Sequence, residues 1–273
     1  MVNDRVAFQG EPGAYSEMAA LRYFPNAQLV PMKSFQDLFD NVESNKINFS
    51  IVPIENSIEG SINETYDLLL QKNITVSGEI YQNIRHCLII NKGTNSIIKS
   101  VYSHPQALAQ CKDYLKKKDL EPISTYDTAG SVKMIKEKKI MDAAAIASRR
   151  AAELYDMEIL EDGIEDKKSN FTRFLVLSQI KTKATGNDKT SIIFSVKHIP
   201  GTLVDILEEF ASRQINLTKI ESRPTKEIPW EYNFYLDFEG HVSDKIVKAA
   251  LQSIKNKTAF IKILGSYKKA EFS

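Results

Sequence analysis

A nine-residue tract, Lys181-Thr-Lys-Ala-Thr-Gly-Asn-Asp-Lys189, most constrains how this chain can fold. It holds one small apolar residue and a Gly-Asn pair, with β-rich runs at 174–177 before it and 192–196 after it. That pattern reads as a solvated linker. It divides the 273 residues into a front segment, 1–180, and a tail, 190–273, both of ordinary domain size.

The front segment alternates short apolar strands with amphipathic helices. Strands are expected at 6–9, 27–30, 49–54, 74–80, 86–90, 101–103, 143–147 and 173–177. Ser34 precedes Phe35, Leu38, Phe39 and Val42 at helical spacing, Ser61-Ile-Asn-Glu64 has the capping-box form, and Pro105 suits a first turn. Thr128 is a candidate cap for the stretch holding Val132, Met134 and Ile135. Such alternation predicts an α/β domain with mostly parallel strands, in one sheet or two lobes. The tail reads strand 191–196, helix 202–213, strands 217–222 and 231–238, helix 243–254 and strand 259–264. This βαββαβ order is the ferredoxin-like plan, and a second copy commonly pairs with its exposed edge or helical face.

Composition removes several classes. Lys and Arg total 36 against 35 Asp and Glu, a net charge of +1, which argues against a general nucleic-acid binder. The longest apolar run, 143–147, is far short of the ~20 residues of a membrane span. No signal-like stretch follows Asp4 and Arg5, and the two cysteines, Cys87 and Cys111, form no C-x-x-C pair. A cytoplasmic protein with reduced thiols is expected. The four histidines have no metal-binding spacing, and neither G-x-G-x-x-G, a P-loop nor G-x-S-x-G occurs. No metal or cofactor is expected.

Small polar clusters instead mark the ends of expected strands, where open α/β sheets bind ligands. Gly10-Glu-Pro-Gly-Ala-Tyr-Ser-Glu17 offers glycine N–H groups and the Ser16 hydroxyl as an anion site, or simply a tight turn. Glu55, Asn56 and Ser57 stand together where strand 49–54 runs out. Ser103-His-Pro-Gln-Ala-Leu-Ala-Gln-Cys111 supplies Ser103 and Gln110; His104 could be a base, though a neutral histidine at a helix start more often has a structural job. Asp127-Thr-Ala-Gly-Ser131 and Asn170-Phe-Thr-Arg-Phe174 complete the set. Arginine is scarce, eight against 28 lysines, so Arg173 stands out as a carboxylate partner or a structural ion pair. The inventory of hydroxyls, amides, backbone N–H groups and one arginine suits a small carboxylate ligand, bound or turned over without a cofactor.

These segments, in this order, resemble the motif series of the prephenate dehydratases, and the tail resembles the ACT domain that follows them. Pro200-Gly-Thr-Leu203, Glu221-Ser-Arg-Pro224 and Tyr232-Asn-Phe-Tyr-Leu-Asp-Phe-Glu-Gly-His241 carry the second likeness. The resemblance covers essentially the whole chain. It implies two lobes similar to type 2 periplasmic binding proteins, then an ACT domain. It also implies decarboxylating dehydration of prephenate to phenylpyruvate on the route to phenylalanine, with phenylalanine as inhibitor and a dimer or tetramer formed through the ACT domains.

By the same resemblance Thr172 is the essential group, donating a hydrogen bond at the reacting end of the substrate. Arg173 would clamp the pyruvyl carboxylate; Asn56, Ser103 and Gln110 would orient the ring hydroxyl or carboxylates; Glu55 and Asp127 are proton-relay candidates. Ser16, Ser57, Thr128 and Phe174 complete the expected substrate site. The effector site carried over comprises Gly201, Thr202, Leu203, Leu217, Glu221, Ser222, Arg223 and Pro224. His198 and Thr202 depart from the family's usual Asn and Ala, so effector choice is the less constrained property; Gly130-Ser131 also departs, neutrally. No chorismate mutase segment precedes Val6, which implies a monofunctional enzyme. An arogenate dehydratase and a non-catalytic amino-acid-sensing or solute-binding protein are the rival readings.

Overall fold

The structure is a computed structural model describing residues 4–197, 199–225 and 230–272; the expectation attached to His198 lies outside them. The first lobe runs β1 (Arg5–Gln9), α1 (Tyr15–Tyr23), β2 (Gln28–Met32), α2 (Phe35–Glu43), β3 (Phe49–Asn56), β4 (Gly60–Ser61), α3 (Asn63–Gln71) and β5 (Thr75–Asn83). The chain crosses to a second lobe of β6 (Cys87–Ile90), β7 (Ser100–Ser103), α4 (Pro105–Gln110), α5 (Lys112–Lys117), β8 (Glu121–Ser124), α6 (Thr128–Glu137), β9 (Ala143–Ala147), α7 (Arg149–Leu154) and β10 (Glu158–Asp162). It returns as β11 (Phe171–Ser178). The sheets are ordered β2-β1-β3-β11-β5, with β4 on β3, and β10-β6-β9-β7-β8.

The mostly parallel arrangement expected for the front segment is corrected to a mixed one. β1 pairs in parallel with β2 and β3, and β7 with β8 and β9. By contrast β11 is antiparallel to β3 and β5, and β6 to β9 and β10. Parallel neighbours need a crossover, usually a helix. Between β5 and β11 the chain inserts the whole second lobe instead, and comes back through the same gap with its direction reversed. The two crossings are tied together where Ile84 N–H donates to the Asn170 carbonyl at 2.8 Å.

Local signals account for several of the helix starts. Ser34 and Asp37 form the reciprocal capping box of α2, whose Leu38, Phe39 and Val42 are fully buried; such a cap contributes ~1 kcal/mol. Pro105 occupies the first turn of α4 behind the His104 cap. Two expected caps move: Asp127, not Thr128, caps α6, and α3 starts from Ile62 while Ser61 lies in β4.

The tail is β12 (Asp188–Ser195), α8 (Thr202–Ala211), β13 (Leu217–Pro224), β14 (Tyr232–Glu239), α9 (Lys245–Lys255) and β15 (Phe260–Lys268), with sheet order β13-β14-β12-β15, all antiparallel. This is the ferredoxin-like plan. The expected linker 181–189 is shorter than drawn, because Asp188 and Lys189 already belong to β12 and are buried. Ile193, Tyr235, Leu264 and Tyr267 of this sheet share one apolar cluster with Val52, Leu69, Val76 and Leu175 of the first lobe. At ~1.5–3 kcal/mol per fully buried large side chain, that cluster is a substantial attraction between the domains. The approach is close: a Cβ on Gly265 would lie 2.0 Å from the Val76 carbonyl oxygen. Among the described residues no helix is long and apolar enough to cross a membrane.

Candidate active site

Between the lobes lies a cleft of about 450 Å³. Its floor is the β3–β11 pair, in which Thr172 stands opposite Asn56 and Arg173 opposite Glu55. Neighbours along a strand point to opposite faces, so one side of this ladder presents Asn56, Thr172 and Phe174 to the cleft. A bulge where Ile54 has no opposite residue keeps Pro53 on the cleft side as well.

Asn56 is fixed first. Its Oδ1 accepts from the backbone N–H groups of Ile58 (2.9 Å) and Glu59 (3.0 Å), so its Nδ2 points the other way, to Asn170 Oδ1 (2.8 Å) and Thr172 Oγ1 (3.0 Å). One lone pair of the threonine hydroxyl is thus occupied, and its hydrogen is left to point into the cleft. Asn170 Nδ2 donates in turn to Gln110 Oε1 (3.0 Å), which also lies 2.9 Å from His86 Nε2. With its oxygen doubly engaged, Gln110 turns its amide hydrogens to the cleft it lines. His86 Nδ1 faces the Tyr15 hydroxyl at 2.9 Å, and that hydroxyl is also 2.7 Å from the Arg85 carbonyl. Burial pushes the His86 imidazole below its ordinary pKa and the Tyr15 phenol well above its own, so both stay neutral at pH 7.

Charge is handled by helix ends. The first residues of α1 (Tyr15, Ser16), α2 (Phe35), α4 (Gln106, Ala107) and α6 (Thr128), with the α3 cap Ile62, all line the cleft. Helix N-termini carry partial positive charge and free N–H groups, which makes the rim an anion acceptor. No lysine or arginine lies among the described lining residues. Asp127 does, its carboxyl raised above the usual carboxylate range by burial, despite accepting the Gly130 N–H at 2.7 Å. Gly13 brings the lobes together here, since a Cβ on it would sit 2.8 Å from the Ala151 Cα.

Of the expected site residues, Ser16, Asn56, Gln110, Asp127, Thr128, Thr172 and Phe174 therefore meet in the cleft. The others lie elsewhere. Ser103 is buried beneath α4, donating to the Ile146 carbonyl at 2.6 Å. Ser57 braces the return crossing, accepting from Phe171 N–H at 2.9 Å. Glu55 and Arg173 face away, and the expected pyruvyl clamp is not formed. Arg173 is 3% exposed, with Nε 2.7 Å from Glu79, Nη1 2.7 Å from Asp237 and 3.1 Å from Glu55, and Nη2 donating to the Tyr267 hydroxyl at 3.1 Å. Strand alternation forbids Thr172 and Arg173 from sharing a face. His104 caps α4 at the cleft rim, its Nδ1 accepting from Gln106 N–H at 3.2 Å. Sequence reasoning missed His86, read only as a strand start, and gave no role to Tyr15 or Asn170, though both stand inside motifs it quoted.

The prephenate dehydratase family model matches residues 6–182 and the ACT domain model residues 190–256. The chain belongs to the prephenate dehydratase family. An arogenate dehydratase/prephenate dehydratase of Arabidopsis thaliana is 44% identical, over 96% of this chain and 72% of that protein. A bifunctional chorismate mutase/prephenate dehydratase of Aquifex aeolicus is 41% identical, over 97% and 74%. The crystal structure of an Arthrobacter aurescens prephenate dehydratase in complex with L-Phe superposes with a TM-score of 0.89 at 29% identity, covering 97% of this chain and 90% of that one.

In this dehydratase-family chain a second cavity, of about 340 Å³, opens in the ACT domain at the N-terminus of α8. Gly201, Thr202 and Leu203 line it, with Val196, Pro200, Tyr232 and Phe234 as apolar wall and Lys197 and Glu231 as charged groups. Gly201 adopts φ 90°, which a side chain would resist. The Thr202 hydroxyl lies within 3.0 Å of the Lys197 and Ile199 carbonyls, and the Thr202 N–H donates to the latter at 3.3 Å. Leu217, Glu221, Ser222, Arg223 and Pro224 are not part of this cavity. They lie on β13, an edge strand whose inner residues grip the first lobe: Lys219 to Glu55 at 2.5 Å, Glu221 to the Ser61 hydroxyl at 2.8 Å, Arg223 to Asn63 and to Asp67.

Proposed function

We propose that the cleft binds prephenate and converts it to phenylpyruvate, water and carbon dioxide. Prephenate is a dianion, and breaking its ring-to-carboxylate bond sends an electron pair through the ring to expel hydroxide from the far carbon. Aromatisation drives the step, so the protein has only to orient the ring, stabilise the leaving oxygen and exclude water. Helix N-termini at the rim receive the carboxylates. The Thr172 hydroxyl donates to the departing oxygen, because Asn56 already occupies its acceptor side; a threonine hydroxyl is too weak an acid to surrender its proton outright. Gln110 offers a second donor, and Asp127, held toward its protonated form by burial, is the proton source within reach of the cleft.

One observation carries this reading: the Asn56–Thr172 pair turns a free hydroxyl hydrogen into a cleft that has no lysine or arginine among its described lining residues and is ringed by helix N-termini. The test incubates the purified protein with prephenate and follows phenylpyruvate, with and without phenylalanine. Formation of phenylpyruvate, suppressed by phenylalanine, is expected; unchanged prephenate sinks the reading. The 44% identical relative, which carries both names, favours arogenate as the second substrate to compare.

For regulation, the α8 N-terminus would receive the effector's carboxylate, Glu231 its ammonium group, and the apolar wall its ring. Thr218, Ile220, Ser222 and Pro224 point outward from the edge strand β13, and a second copy of the chain packed there would give the expected dimer or tetramer. A cytoplasmic setting suits two buried free thiols, the Cys87 thiol pushed up to about 12 by burial.

A further inference from the structure

We propose that Asn170 is a positioning residue for the elimination: it relays the fixed orientation of the Asn56 amide to Gln110, and so keeps the Gln110 donor turned into the cleft beside that of Thr172. This rests on the dehydratase reading above. Asn170 is 0% exposed and lies in the return crossing, outside the cleft lining. It reaches no substrate itself.

The direction of every hydrogen bond in the chain follows from its Asn56 end. There the Asn56 oxygen is held by two backbone N–H groups, which can only donate. The Asn56 amide nitrogen must then donate, so Asn170 presents its oxygen to Asn56 and its nitrogen to Gln110. A reversed Asn170 would set donor against donor and acceptor against acceptor. Because the Gln110 oxygen accepts from Asn170, neutral His86 must place its proton on Nε2 to meet that oxygen, and its Nδ1 then shares the single Tyr15 hydroxyl hydrogen with the Arg85 carbonyl. The Asn56 end sets this polarity. Its output is the Thr172 hydroxyl hydrogen and the Gln110 amide hydrogens, one donor from each lobe. Mismatched buried amides leave unsatisfied groups in the interior, which disfavours the alternative.

Asn170→Asp, equal in size, tests this. A carboxylate still accepts from Asn56 but sets oxygen against the Gln110 oxygen, turning Gln110 over and freeing His86. The titratable groups near it are His86 and Glu165, the latter accepting the His86 backbone N–H at 2.9 Å and facing Lys168; Asn56, Gln110 and Thr172 are uncharged. The readout is therefore the variant-to-wild-type ratio of kcat on prephenate at each pH. A fall of about 100-fold at about pH 8 is expected, comparable to loss of a positioned donor, with KM moved by less than about threefold. The ratio should recover on acidification, as the protonated carboxyl regains a donor for Gln110. A ratio within about threefold at high pH, or a loss independent of pH, overturns the proposal.

A second measurement needs no variant and no turnover. In 15N-labelled wild-type protein, His86 must appear as the Nε2–H tautomer; the Nδ1–H tautomer overturns the polarity. If wild-type protein leaves prephenate untouched while His86 shows the Nε2–H form, the reading of function fails and the hydrogen-bond order stands.

Discussion

Asn56 and Thr172 face one side of the β3–β11 ladder and Glu55 and Arg173 the other, and the two sides use opposite kinds of polar group. The cleft side has amides, hydroxyls and helix ends. Across the ladder lies a dense charge network: Arg173 with Glu55, Glu79 and Asp237, Lys189 with Glu79 at 2.8 Å, and Lys219 with Glu55. The division suits the chemistry proposed for the cleft. A guanidinium clamping the pyruvyl carboxylate would bind substrate and transition state alike, whereas dipoles aimed at the leaving oxygen act where charge develops. On the far side the same charges order two domains. Apolar burial supplies the attraction there, and the ion pairs fix which residues of β12, β13, β14 and β15 meet the first lobe.

The largest effect should come from emptying the charged side. Arg173→Met leaves Glu79 and Asp237 buried with one cation fewer, and breaking a buried pair costs ~3–5 kcal/mol. Thermal and denaturant unfolding should show that loss. Whatever folded protein remains should keep the wild-type KM for prephenate, because no Arg173 donor reaches the cleft. A variant of wild-type stability with a KM raised tenfold or more would restore the carboxylate clamp and erase the comparison.

Next in size is the cleft side itself. Thr172→Ala removes one positioned donor, a loss of ~10²–10³ in kcat, or about 2.7–4 kcal/mol of transition-state stabilisation. Its stability should fall less than that of Arg173→Met, by about 1–3 kcal/mol, since Asn56 Nδ2 loses a buried acceptor. The two neighbours on one strand would then separate: one variant loses mainly stability and keeps substrate affinity, the other loses mainly turnover. Wild-type turnover by Thr172→Ala would remove the threonine from the mechanism.

Much of this was legible in the sequence, and the part that was not has a physical cause. The βαββαβ tail, the Ser34 box and the helix start at Pro105 depend on residues within a few positions of one another, so a local pattern reveals them. Asn56, Gln110 and Thr172 also lie in short polar runs at strand ends. Which of two adjacent residues faces the cleft depends on register and on the bulge at Ile54, neither of which has a local signature. The partners of Arg173 are farther still: Glu79 lies on β5 and Asp237 on β14, beyond a lobe in one direction and a domain boundary in the other. His86 is a hinge residue whose role exists only because the chain crosses twice at the same place. An arginine at the head of an apolar strand therefore invited a ligand role that only its distant partners could exclude.

The smallest effect gives the sharpest contrast, because the two sides shift carboxylates in opposite directions. Burial raises the Asp127 carboxyl in the cleft, whereas at Asp237 burial pushes upward but Arg173, with the Ser191 hydroxyl and Lys189, holds the group below its usual range. A raised carboxyl favours the fold below its ordinary pKa of 3.8 and loses that advantage as pH rises through its folded value. Asp127→Asn should therefore be as stable as wild type in acid and slightly more stable at neutral pH, by about 1 kcal/mol or less, since Asn caps α6 as well as Asp does. A depressed carboxyl does the reverse: it contributes above 3.8 and is lost as pH falls through its folded value. Asp237→Asn should be less stable at neutral pH, with the difference closing in acid. Plotting each variant's stability relative to wild type against pH checks both signs at once. Curves of the same sign would mean that the cleft carboxyl is held by a buried counter-charge like its counterpart behind the ladder, and the contrast between the two sides would fail.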